Sequence, residues 1–182
     1  MSVSPSAPLP FDPVDEARRH WADHGWVAAA PGMAAVTSVM RAQQIFLGRV
    51  EEVLRPLGLT FARYELLMLL SFSSTGAMPL GKVSARLQVH PTSVTNAVDR
   101  LEAQGFIRRL PHATDRRATL AEILPEGRQI AQVATKELNQ QVFERTGLDP
   151  ADIDALTDVL RRLRSGFGDF EVGDPGRGTG PT

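Results

Sequence analysis

No cysteine occurs among the 182 residues, which excludes a disulfide framework and any thiolate chemistry or ligation. No apolar run approaches the length of about 18 residues that a membrane-spanning helix needs, so no membrane partner is expected. The first ten residues are rich in Ser and Pro and lack the basic and apolar regions of a secretory signal, so a cytoplasmic location is expected. No internal repeat is visible. The signatures of catalysis are missing too. There is no nucleophile elbow, metal-binding helix motif or Gly-rich cofactor loop, and no cofactor is expected. The stretch from Gly76 to Lys82 mimics a phosphate-binding loop, but Val83 stands where the Mg²⁺-binding hydroxyl belongs. The chain therefore reads as a non-enzyme.

Net charge is also lacking: 20 basic and 21 acidic side chains leave −1. Its distribution is uneven. Between Leu80 and Leu120 stand seven basic residues (Lys82, Arg86, Arg100, Arg108, Arg109, Arg116, Arg117) and three acidic ones (Asp99, Glu102, Asp115), a local +4 that leaves −5 for the remainder. A local basic face is what a phosphate backbone requires of its partner.

Hydrophobic periodicity predicts the element order. Residues 1–12 read as disordered. Asp12 and Pro13 open a short helix to about Trp26. Pro31-Gly32 reads as a chain break, followed by a long helix from Met33 to about Arg55 with Val36, Met40, Leu47, Val50 and Leu54 near one face. Thr60 can cap a core helix from Phe61 to about Phe72. Ser73 to Ala77 reads as a loop. Leu80, Val83 and Leu87 mark a short helix, and after a tight connection a second runs from Pro91 to about Gln104. Gly105 stops it. Strand-like runs, Phe106 to Leu110 and Ala118 to Ile123, flank a polar turn and predict a β-hairpin. A long helix is expected from Pro125 to about Thr146, and another begins at Asp149-Pro150. In that last helix Ile153, Leu156, Leu160, Leu163 and Phe167 recur at spacings of 3, 4, 3 and 4, a coiled-coil-like seam suited to dimerisation.

The fold class is thus mainly α with a small β-hairpin wing: a winged helix-turn-helix lobe (59–124) plus helical dimerisation arms (13–58 and 125–170), with a flexible tail at 171–182. On the helix from Pro91, Val94, Val98 and Leu101 face the core. At about 100° per residue, Thr92, Asn96 and Asp99 lie opposite, with Ser93, Thr95 and Arg100 on the flanks. Short polar side chains on such a face suit a major groove, where Arg100 can take a phosphate or a guanine. At the hairpin turn, Arg116 and Arg117 suit a narrow minor groove, and Asp115 can orient a neighbouring arginine. Arg108 is expected to hold phosphate. The partner so indicated is double-stranded DNA. An ordinary solvated helix face and turn is the bland alternative, and a protein-interaction module using the same fold without DNA is the rival function. The basic hairpin argues against the latter.

Five stretches, taken together and in order, resemble the MarR family of bacterial regulators: Leu59 to Glu65, His90 to Glu102, Gly105 to Arg109, Asp115 to Leu120, and Pro125 to Arg128. The resemblance covers about Met33 to Phe167. It implies a homodimer joined by the terminal helices, acting as a ligand-responsive repressor or activator at a pseudo-palindromic operator. It also implies a small-molecule effector between lobe and arms. Leu124 departs from the family, which often has a capping Thr there, and Gln88 occupies a turn position where Gly is common. Trp21, Met40, Phe46, Tyr64 and Met68 are the candidate pocket residues. A urate-responsive branch of the family joins a Trp to a carboxylate and an arginine. Glu65 offers the carboxylate, but Phe72 stands about where the arginine would be, which speaks against urate. His20 and His24, four apart with Glu16 a turn earlier, could present metal ligands on one face. No Cys or further His completes such a site, and no metal is expected.

Overall fold

The computed structural model describes residues 8–112 and 118–171. The chain divides into two compact units, Met1–Glu52 and Val53–Thr182. In the first, Asp12 caps helix α1 (Pro13–Asp23), its carboxylate accepting from the Val14 N–H at 2.8 Å. Trp21 and Trp26 meet edge to face at 5.2 Å, and His24 stacks on Trp26. Helix α2 (Ala30–Leu54) starts three residues earlier than the sequence suggests. Pro31-Gly32 lies inside its first turn instead of breaking the chain, because a first-turn N–H has no helical partner to lose. Of its apolar row, Val50 and Leu54 are buried, while Val36 and Met40 are exposed. No helix among the described residues is long and apolar enough to cross a membrane.

The second unit takes in the end of α2 from Val53 and continues with a 3₁₀ turn (Arg55–Leu57). Thr60 caps helix α3 (Phe61–Ser71), accepting from the Arg63 N–H, and Leu66, Leu67 and Leu70 are wholly buried there. Strand β1 (Ala77–Pro79), helix α4 (Leu80–Leu87), helix α5 (Pro91–Ala103) and strands β2 (Ile107–Pro111) and β3 (Thr119–Ile123) follow. The sheet order is β1-β3-β2, all antiparallel, with Met78 and Arg109 on either side of Ala121. Ala77 therefore belongs to a strand rather than a loop. Three residues ending in Pro are too few to show a period of two, and pairing with β3 decides the matter.

Leu54, Leu59, Val83, Val98, Leu101, Ile107 and Leu138 join the α3 leucines as the largest wholly buried side chains of this unit, and Ala121 is wholly buried too. Gly105 ends α5 in the left-handed region, its N–H donating to the Glu102 carbonyl. Helix α6 (Pro125–Gln141) starts at Leu124, which makes no side-chain cap. Its first turn runs so close to the α5–β2 connection that a Cβ at Gly127 would collide with the Phe106 carbonyl. The expected run to Thr146 is two elements. Buried Val142 leaves helical dihedrals, and Phe143–Arg145 tightens into a 3₁₀ turn. Asp149 caps helix α7 (Pro150–Gly166), accepting from the Asp152 N–H at 2.9 Å. No residue of α7 is buried.

Candidate nucleic-acid interface

The turn between α4 and α5 aims the interface. Gln88 adopts φ +53° and ψ 38°, a left-handed conformation that glycine would take without cost, and its N–H donates to the Ser84 carbonyl. The Ser84 hydroxyl donates across the turn to the Val89 carbonyl at 2.7 Å. His90 then caps α5, its Nδ1 accepting from the Thr92 N–H at 3.2 Å, with Pro91 at the first helical position. Val94, Val98 and Leu101 anchor one face of α5 in the core, so the other face has a single orientation. On it Thr92, Ser93, Thr95, Asn96, Asp99 and Arg100 are all exposed. Thr95 donates its hydroxyl proton to the Pro91 carbonyl, which leaves the oxygen lone pairs and the methyl group outward.

Arg63 joins this face, and the sequence reading missed it. A concavity of about 340 Å³ is bounded by Thr60, Ala62 and Arg63 of α3 and its cap, and by Ser93, Asn96, Ala97 and Arg100 of α5. The Thr60 hydroxyl accepts from the Arg63 Nε at 3.2 Å and holds that guanidinium beside the start of α3. The signal was present in sequence as a cap residue with Arg three positions on, but which helix it faces is tertiary information.

The strands divide their arginines. Arg108 stands opposite Glu122 of β3 and pairs with it, so its charge is balanced locally. Arg109 points the other way and bridges both carboxylates of α5, Asp99 at 2.5 Å and Glu102. Burial opposes the Arg109 charge, but hydrogen bonds and charge from Asp99 and Glu102 outweigh it and raise its pKa above the ordinary arginine value. Asp115, Arg116 and Arg117 lie outside the described residues.

A second feature lies between α3 and α6. A cavity of about 530 Å³ is lined by Met68 and Phe72 on the apolar side and by Arg128, Gln132, Thr135 and Lys136 on the polar side. Of the candidate pocket residues, Met68 lines it, and Tyr64 lies buried behind it with its hydroxyl 3.0 Å from that of Thr135. Trp21, Met40 and Phe46 belong to the first unit and do not line it. The Ser71 hydroxyl, on the same wall, is buried with no hydrogen-bond partner among the described residues. Sequence reasoning missed the α6 wall, although Arg128, Gln132, Thr135, Lys136 and Asn139 recur at helical spacing on one face. Burial pushes the Glu65 carboxyl of α3 above its usual range. In the first unit, the His24 Nδ1 is 2.7 Å from the His20 carbonyl oxygen, and no metal-holding group of three His, Cys, Asp or Glu occurs among the described residues.

Residues 59–119 match the MarR family. The structure is similar to that of Sco5413 from Streptomyces coelicolor, a MarR family transcriptional regulator. The two are 48% identical with a TM-score of 0.71, over 77% of this chain and 97% of that one. It is also similar to Sco3205 of the same organism, a MarR family transcriptional regulator seen in complex with DNA. Here the TM-score is 0.64 at 24% identity, over 72% of this chain and 84% of that one, a likeness that speaks for the fold alone. An HTH-type transcriptional regulator of Mycobacterium leprae is 30% identical over 81 residues, 44% of this chain and 57% of that protein. The chain thus matches little more than half the length of that curated relative. Near-complete coverage of a regulator at 48% identity, the family match across α3 to β3, and a helix-turn-helix followed by a hairpin converge: the chain belongs to the MarR family of transcriptional regulators.

Proposed function

We propose that the protein binds double-stranded DNA sequence-specifically as a homodimer and acts as a ligand-responsive repressor. The observation that carries this reading is the outer face of α5. It is wholly polar and exposed, backed by a wholly buried face, and flanked by Arg63 and Arg100. In this reading Thr92, Ser93, Thr95 and Asn96 meet base edges in the major groove, and Arg63, Arg100 and Arg108 hold phosphates. Arg108 exchanges Glu122 for phosphate on binding. Arg116, Arg117 and Asp115 retain their wing role on the strength of sequence. The DNA complex of Sco3205 supports the fold's capacity for such docking.

Pairing is supported by α7, whose seam residues Ile153, Leu156, Leu163 and Phe167 are exposed, Phe167 to 86%. A second copy of the chain is the simplest cover, and two-fold pairing lets two reading helices enter successive major grooves about 34 Å apart. The α3–α6 cavity suits an effector with an apolar body against Met68 and Phe72 and a polar head toward Arg128, Gln132 and Thr135. Such a head would also give the orphaned Ser71 hydroxyl a partner.

The test is selection of a preferred duplex from a random pool, followed by titration over a range of salt. Tight binding with a steep salt slope, lost in part and with altered base preference in Asn96→Ala, is the expected result. Failure to select any duplex would leave the interaction module without DNA as the reading.

A further inference from the structure

We infer that Arg109 is a positioning residue for DNA reading: it draws two carboxylates off the reading face and pins the reading helix to the hairpin. The inference rests on the proposed DNA-binding role and adds to it a residue whose task is to correct a charge problem on α5.

That problem is visible in the helix. Asp99 follows Asn96 by three positions and Thr95 by four, so it shares their face, and its side chain is 55% exposed. Glu102 stands three positions further along. A carboxylate presented to a phosphate backbone is repelled, and two on a reading helix would oppose its approach. Arg109 meets both. One terminal nitrogen donates to Asp99 Oδ1 at 2.5 Å, and the other donates to Glu102 Oε2. The three charges sum to −1, where the two acids alone would give −2.

Backbone geometry shows that the fork is aimed. β2 is an edge strand, hydrogen-bonded to β3 alone. The Arg109 N–H, on the outer side of that edge, donates to Glu102 Oε1 at 3.0 Å. Glu102 is therefore held at two points by one residue, and the helix is tied to the strand by main chain as well as side chain. Arg108, the next residue, turns to the other side and is matched by Glu122. An ammonium could not reproduce the arrangement, because a planar guanidinium presents donors in a fixed fork and a lysine presents a single point of charge. At 28% exposure, the Arg109 side chain is more covered than either acid, as suits a group that acts through them.

The experiment measures duplex affinity over a range of salt, well below each variant's unfolding temperature, for wild type, Arg109→Ala, Arg109→Lys, Asp99→Asn and the double variant Arg109→Ala/Asp99→Asn. Arg109→Ala should weaken binding by about ten- to a hundredfold. The salt slope should not change, because the slope counts phosphates contacted and Arg109 contacts none. Asp99→Asn alone should bind at least as tightly as wild type, and in the double variant it should restore most of the lost affinity. Arg109→Lys should fall between wild type and Arg109→Ala. A slope lowered by about one unit without rescue would make Arg109 a phosphate contact and overturn the inference. Weaker binding and altered base preference in Asp99→Asn would make that carboxylate a base reader and also overturn it; this measurement stands even if Arg109→Ala fails to fold. If wild type bound no duplex, the inference would fall together with the proposed function.

Discussion

Helices α5 and α7 are both amphipathic, yet their apolar faces meet different fates. In α5, Val94, Val98 and Leu101 are buried by the chain's own α3, α4 and β2. In α7, no residue is buried, and of the seam Ile153, Leu156, Leu163 and the capping Phe167 are exposed while Leu160 is half-buried. The first helix is completed within its own chain and offers a polar face to a partner. The second has good local chemistry, with Asp149 as cap and Asp158 paired to Arg161 and Arg162, but no core. Caps and surface pairs contribute about 1 kcal/mol or less each, whereas burying a Leu side chain contributes about 1.5–3 kcal/mol. An uncovered seam therefore outweighs all of α7's local stabilisation, and the remaining apolar energy is available to an interface.

The comparison can be broken most forcefully at α7. Leu156→Asp combined with Leu163→Asp should weaken the proposed pairing by at least about a thousandfold, since four apolar side chains, two from each copy, are lost from the proposed seam. Light scattering against concentration reads this, and the lobe should keep its circular dichroism. A dimer of unchanged affinity would show that α7 is not the seam. In α5 the corresponding change should unfold rather than dissociate. Leu101→Ala removes a wholly buried side chain and should cost about 2–5 kcal/mol in denaturant unfolding. An unchanged midpoint would mean that Leu101 contributes little to the α5 core.

Smaller effects sharpen the contrast between helices and the turns that aim them. Gln88→Gly relieves the left-handed strain at the α4–α5 turn and should raise stability by about 1 kcal/mol, readable as a higher melting temperature. A lower one would assign greater weight to the side-chain hydrogen bond from Gln88 to the Asp169 carbonyl. The smallest change is expected at Glu65. Burial raises its folded pKa, so between the ordinary glutamate value and the raised one the native state holds a proton that the unfolded chain has released. Stability from this group is full below the ordinary glutamate value and falls as pH rises through the raised one. Glu65→Gln should therefore be more stable than wild type at neutral pH and lose that advantage in acid, as paired melts across pH will show.

The reading face of α5 was legible because its period is local. Buried Val94, Val98 and Leu101 determine where Thr92, Asn96 and Arg100 must point, whatever surrounds the helix. The caps at Asp12, Thr60 and Asp149 were legible for the same reason: each acts within three residues of itself. Relations between distant segments were not. Arg63 comes to the α5 face, Arg109 takes Asp99 and Glu102, and β1 pairs with β3 only after the chain has folded back. The α3–α6 cavity likewise depends on the distance between two helices about sixty residues apart in sequence, a separation that no local period encodes. Even the end of α6 was decided by burial of Val142 rather than by propensity. By itself the sequence determined the helices and the hairpin and which face of each is apolar, since those follow from spacing along one chain segment, but not the short β1 or the break after α6. Tertiary structure decided which charges meet and which apolar faces stay uncovered, because opposite charges and apolar surfaces act on whatever the fold brings near them.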